Sequence, residues 1–250
     1  MGDRNEVSVY LPDSAAGRMP VIIFSPGFGG TREIGGSALK LCEEATKAGM
    51  AFLSFSPFSF GATEGADSDF TYGRWSSNLE EILGWARGQP WADAGRIGCF
   101  AISSGTTAAI RYAQRSDDLR FVISVATSLS IHVGMNDSPH RRFLTEALAR
   151  GSEEVPMYFG KKVGRAFYID AELHAPIFDM PKTRCPVFFL QGAEDNLWRR
   201  SDAWMGWQAM LRAGLPVKYL EVAGGDHGLD ARADLCARES LGWLREIKIL

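Results

Sequence analysis

Four short stretches of this chain carry residue types that together could run acyl transfer: SPGFGG (residues 25–30), AISSG (101–105), GAED (192–195) and GGDHG (224–228). A serine hydroxyl is a poor nucleophile until a base takes its proton, and the base needs an acid to fix its tautomer. The second stretch offers the serine, the third a carboxylate and the fourth an imidazole. The first is a glycine-rich loop, whose backbone N–H groups could hold the oxyanion of a tetrahedral intermediate.

Which serine attacks is decided by sterics. A sharp strand-to-helix turn lifts a side chain above the sheet edge but crowds its neighbours, so the residues two before and two after must be small. Ser103 meets that demand with Ala101 and Gly105; Ser104 does not, since its equivalents are Ile102 and Thr106. Ala101 stands where the G-x-S-x-G pattern has its first glycine. Alone, AISSG reads equally well as a helix start capped by Ser103. The other three stretches tip the reading toward the nucleophile.

Asp195 follows the apolar run 187–190, and His227 follows the run 217–222 through Gly224 and Gly225. Both should emerge at the carboxyl edge of a sheet, where reactive groups of open α/β folds gather. Three other acids lie close. Glu194 comes one residue too early in the turn, Asp226 adjoins the histidine too closely to reach its far ring nitrogen, and Asp230 lies beyond it. The remaining histidines, His132, His140 and His174, have no metal-like spacing partner and read as surface or insertion residues. The second oxyanion donor should be the N–H of Ser104, the residue after the nucleophile, and the first the N–H of Phe28 in SPGFGG. Pro26 has no N–H and can only shape that loop. A phosphate-cradling role fails, because Thr31 and Arg32 replace the lysine and hydroxyl of a P-loop and the third glycine of a dinucleotide fingerprint is missing. No cofactor or metal is expected.

Strand-like and helix-like runs alternate, which predicts a mostly parallel sheet with helices on both faces. Strands are expected at 7–11, 21–24, 51–55, 96–100, 121–126, 187–190 and 217–222, and helices at 38–48, 77–87, 104–114, 202–213 and 231–247. Ser77 and Glu80 suggest a capping box for the second helix. Between about 128 and 184 the alternation breaks into a polar turn (136–139), a short amphipathic helix (142–150) and aromatic pieces around Tyr158 and Phe167. That is too long for a plain connection, so one domain over 1–250 with an inserted cap is expected.

Net charge is −3 with 46% hydrophobic and 23% charged residues, so no electrostatic footprint for nucleic acid or an anionic membrane is visible. No apolar run is long enough to span a bilayer, and the start lacks a signal-peptide core. A cytoplasmic protein is expected unless a leader was removed. Cys42, Cys99, Cys185 and Cys236 are scattered, which argues against disulfides or a zinc site. One strand precedes residue 21, and a homo-oligomer completing that sheet edge is a possibility to test.

The order serine, acid, histidine is that of α/β-hydrolases and differs from the chymotrypsin and subtilisin orders. Over nearly its whole length the chain resembles that superfamily, and within it the serine esterases that include cinnamoyl and feruloyl esterases and their acyl-peptidase-like relatives. FSFGATEG (58–65) is similar to their G-x-S-E-G loop, SSNLEEILGWA to the acidic helix before their nucleophile strand, and GKKVGRAFYIDA with CPVFFLQGAED to the end of their cap and the acid strand. Pro26, Ile102 and the pair Ser59–Phe60 depart from the family pattern. The resemblance implies a Ser103–Asp195–His227 triad, Phe28 and Ser104 as oxyanion donors, and a cap over the acyl pocket. The expected activity is carboxylic-ester hydrolysis of a small molecule through an acyl-enzyme. Phe58, Phe60, Tyr158, Phe167 and Trp198 suggest an apolar or aromatic acyl pocket. The same triad could serve a peptidase, thioesterase, lactonase or acyltransferase, and a non-catalytic binding protein on the same fold is the third reading.

Overall fold

A seven-stranded mixed sheet in the order β1-β3-β2-β4-β5-β8-β9 organises the computed structural model, which describes residues 4–13, 17–130, 145–146, 149–151, 153–157 and 160–250. Its strands are β1 (Val7–Tyr10), β2 (Met19–Ser25), β3 (Ala51–Phe55), β4 (Ala92–Ile102), β5 (Val122–Val125), β8 (Val187–Gly192) and β9 (Val217–Val222). Only β1 runs antiparallel, at one edge against β3; the other pairings are parallel. Parallel strands covered on both faces read as near-continuous apolar runs, and every residue of β2 and β3 is buried, Ser25 and Ser54 included.

Helices α1 (Gly36–Lys47) and α6 (Ala233–Glu246) cover one face. Helices α2 (Tyr72–Arg87), α3 (Ser104–Arg115) and α5 (Arg200–Arg212) cover the other. Leu79, Ile82 and Leu83 of α2 recur at helical spacing and are buried against the sheet, each contributing about 1.5–3 kcal/mol. Gly49 and Gly214 follow α1 and α5 with φ of +86° and +69°, the left-handed conformation that ends a helix.

Helix α2 corrects the sequence reading. It begins at Tyr72, five residues before Ser77, and its N-cap is Thr71, whose hydroxyl accepts from Arg74 N–H at 3.1 Å. Ser77 is an interior residue that donates to the Gly73 carbonyl at 3.1 Å. Tyr72 and Trp75 extend the helix because both rings are buried, which outweighs their modest helix propensity. Likewise β4 starts at Ala92, paired with Met19 across an irregularity in the register.

Between β5 and β8 lie the hairpin β6 (Glu154–Pro156) and β7 (Lys162–Gly164), helix α4 (Arg165–Leu173) and a 3-10 segment Pro176–Lys182. Helix α4 is fastened to the nucleophile-bearing half: Arg111 Nη1 and Nη2 donate to the two oxygens of Asp170 at 2.6 and 2.9 Å, and Gly73 N–H adds a third bond at 3.1 Å. His132, His140, Tyr158, the polar turn 136–139 and most of the helix expected at 142–150 lie outside the described residues. All four cysteines are buried free thiols, and burial pushes them above the ordinary thiol range. Among the described residues no helix is long and apolar enough to cross a membrane.

Candidate active site

Strands β4, β8 and β9 are parallel in one sheet, so the turns that follow them open on the same edge. Ser103 sits between β4 and α3 with φ 54° and ψ −126°, a conformation that side chains rarely adopt. Its N–H donates to Val125 O at 2.9 Å, and its carbonyl accepts from Thr106 N–H at 2.9 Å and Thr106 Oγ1 at 2.6 Å. The need for small neighbours is visible directly. A Cβ on Gly105 would lie 2.2 Å from Pro26 O and 2.4 Å from Ser25 O. Gly27 packs on the nucleophile itself, its would-be Cβ 3.4 Å from Ser103 Cβ. The glycine-rich loop therefore abuts the serine.

The donors expected for an oxyanion occupy this same corner. Ser104 is the first residue of α3, and an N–H at that position has no acceptor within the helix. Its hydroxyl bonds Tyr72 OH at 3.3 Å, and burial pushes the Tyr72 phenol up to about 12 despite that bond. Phe28 is half-buried, its ring edge-on to Phe60 and Phe70 at 5.3 and 5.6 Å. Phe70 passes the contact to Phe167 at 5.7 Å, so an aromatic wall runs from the loop to α4. Phe60 and Phe167 of that wall, and Phe58 outside it, are core residues almost without exposed surface.

The acid and base are brought together tightly. His227 Nδ1 lies 3.0 and 2.9 Å from the two oxygens of Asp195. Their turns touch as well: Glu194 N–H donates to Gly225 O at 2.9 Å, and a Cβ on Gly192 would lie 2.3 Å from Asp226 O. The Asp195 side chain is wholly buried, which by itself would raise its pKa. The His227 contact, Trp198 N–H and Gln191 Nε2–H outweigh that and hold the carboxyl below the usual carboxylate range. Gln191 bonds Oδ2 at 3.0 Å, while Leu197 and Trp198 N–H groups each bond Oδ1 at 3.0 Å.

Two of the competing acids are occupied elsewhere. Asp230 accepts from Ser37 N–H at 2.9 Å at the start of α1, and Asp226 Oδ1 accepts from Ala231 N–H at 3.3 Å. Among the described residues Ser103 Oγ carries no hydrogen bond to His227; such contacts often tighten only when substrate binds. Sequence reasoning missed Gln191, Tyr72 and Thr106, and read Trp198 as a pocket aromatic, whereas its main-chain N–H holds the acid. Only Gln191, four residues before the acid at the end of β8, had a readable position.

A second network lies just beyond the glycine-rich loop, at Arg32. Glu6 takes Arg32 Nε at 2.7 Å, Ser56 Oγ at 2.7 Å and Ala62 N–H at 3.0 Å, and these bonds pull its carboxyl down to about 2.

Comparison with known proteins agrees with this frame. Residues 2–154 match the family model described as X-Pro dipeptidyl-peptidase (S15 family), and the chain belongs to that family of hydrolases. It is 25% identical over 242 residues to the mitochondrial palmitoyl-protein thioesterase ABHD10 of Mus musculus, covering 93% of this chain and 77% of that protein. Est1E from Butyrivibrio proteoclasticus, solved with ferulic acid bound, superposes with a TM-score of 0.84 at 16% identity, over 100% of this chain and 97% of that one. The structure of mouse ABHD10 gives 0.73 at 20% identity, over 98% and 95%. The fold is that of the α/β-hydrolases.

Proposed function

We propose that this member of the S15 family is a serine hydrolase that cleaves carboxylic esters through an acyl-enzyme on Ser103. His227 takes the Ser103 proton as the hydroxyl oxygen attacks the ester carbonyl, and Asp195 fixes the imidazole tautomer through Nδ1. The N–H groups of Phe28 and Ser104 hold the oxyanion, and His227 returns the proton to the departing alkoxide. Water then repeats the sequence in reverse and releases the acid. The observation that carries this reading is the His227–Asp195 pair at 2.9 Å, on the sheet edge that also presents the strained Ser103 turn.

The half-buried Phe28 ring, backed by Phe60 and Phe70, supports an apolar or aromatic acyl pocket. The insertion 128–184 would cap it, with α4 fastened through Arg111 and Asp170. Likeness to a palmitoyl-protein thioesterase favours a second reading in which a thiolate is the leaving group on the same acyl-enzyme. A matched panel of aryl and alkyl esters, acyl thioesters and Xaa-Pro amides separates these. The highest kcat/KM on esters of apolar or aromatic acids supports the proposal; preference for thioesters or Xaa-Pro amides replaces it.

A further inference from the structure

One buried carboxylate beside the site has no part in the chemistry described above. Asp202, in the first turn of α5, has a side chain with no exposed surface. Its Oδ2 accepts from Leu129 N–H at 2.9 Å, Ser130 N–H at 3.1 Å and Trp198 Nε1–H at 3.2 Å. Its Oδ1 accepts from Arg199 Nη2 at 2.9 Å, and that guanidinium also donates to Ser130 O at 3.2 Å. Burial pushes the Asp202 carboxyl upward, against the pull of these donors. A carboxylate kept in such a place is costly unless it is paired and hydrogen-bonded, and here four donors serve it.

The partners of Asp202 belong to both halves of the site. Trp198 is held at two ends: its indole N–H is on Asp202, while its main-chain N–H is on Asp195 Oδ1 at 3.0 Å. Leu129 and Ser130 belong to the segment leaving β5, and that segment is gripped from the nucleophile side. Thr106 Oγ1 accepts from Ser128 N–H at 2.8 Å and donates to Ser103 O at 2.6 Å, and Thr107 Oγ1 donates to Ser128 O at 2.7 Å. Residues 126–130 therefore tie the Ser103 turn to the Asp195 turn. The tie starts at Ala126, whose φ of +49° is a second strained residue directly beside Ser103 at +54°. Two such neighbours persist only where surrounding bonds over-determine them.

We propose that Asp202 is a positioning residue for the triad, orienting the Asp195 carboxylate through Trp198 and fixing its spacing from the Ser103 turn through Leu129 and Ser130. This rests on the triad reading given above. A carboxylate in the first turn of α5 could instead serve only to stabilise that helix. The two roles differ in what they do to turnover in the folded enzyme.

The test compares kcat, KM and Tm for wild type, D202N, W198F and the double variant on a p-nitrophenyl ester, with S103A as control. Assays run well below each Tm. D202N and W198F should each lower kcat about 10-fold, by analogy with the lower range for the outer partners that orient metal ligands, with KM unchanged. The double variant should be no slower than D202N, because D202N already breaks the Trp198 link that W198F removes. Wild-type kcat in D202N, or losses that multiply in the double variant, would overturn the proposal. W198F keeps a large ring and its main-chain N–H, so wild-type kcat there overturns it even if D202N does not fold. S103A that still hydrolyses the ester removes the triad reading and this proposal with it; inactive S103A beside a fully active D202N removes the positioning role alone.

Discussion

The acid–base half of the site and the nucleophile half are held in place by different physics. Asp195 has no strained backbone; three donors and the His227 ring surround its carboxylate at 2.9–3.0 Å. Ser103 is held in a conformation side chains rarely adopt, and what makes room for its turn is the missing Cβ at Gly105. A hydrogen-bonded arrangement should lose function in steps as donors are removed. A sterically locked one should fail abruptly when a single methyl is added.

The contrast can be broken at several points. Ser103→Ala should lower kcat by about 10⁶-fold while leaving the fold intact, as loss of a serine nucleophile does elsewhere. The check is kcat together with Tm. Asp195→Asn keeps the shape but leaves the imidazole tautomer wrong, so kcat should fall by about 10⁴-fold. A loss below 10-fold would move the acid's role to another carboxylate.

Gly105→Ala addresses the steric half. Its methyl must displace Pro26 O or Ser25 O, so the variant should lose about 3 kcal/mol of stability in urea unfolding, the upper range for overpacking, together with most of its turnover. Unchanged stability would mean that the turn relaxes and is not locked.

The smallest effect is expected at Glu6. Its folded-state pKa of about 2 lies below the ordinary 4.5, so its ionisation stabilises the native state above about pH 4.5, and the gain is lost as pH falls toward 2. Glu6→Gln should therefore cost about 1–2 kcal/mol near neutral pH, the order for hydrogen bonds to a charged group. The gap to wild type should close on acidification. A pH-independent difference would point to packing.

Much of this architecture was legible in the residues. The strands read at 51–55 and 217–222 match β3 and β9, and Gly49 and Gly214 follow the ends of their helices, because period and turn chemistry act locally. The candidate serine, acid and histidine were readable for the same reason, each following a strand closely in sequence. What escaped depends on contacts distant in sequence. The start of α2 was hidden because Tyr72 and Trp75 become helical by packing on Phe70 and Phe167, not by propensity. Helix α4 was hidden in an aromatic stretch for a similar reason. The Asp202 bonds to Leu129 and Ser130 link residues more than 70 positions apart, and no local pattern announces them.

Intact-mass analysis of enzyme mixed with a slowly deacylating aryl ester tests the central claim most directly. One acyl group per chain, mapped by peptide sequencing to Ser103 and absent from Ser103→Ala, is the predicted result. An acyl group on any other residue, or one that still forms in Ser103→Ala, would contradict it.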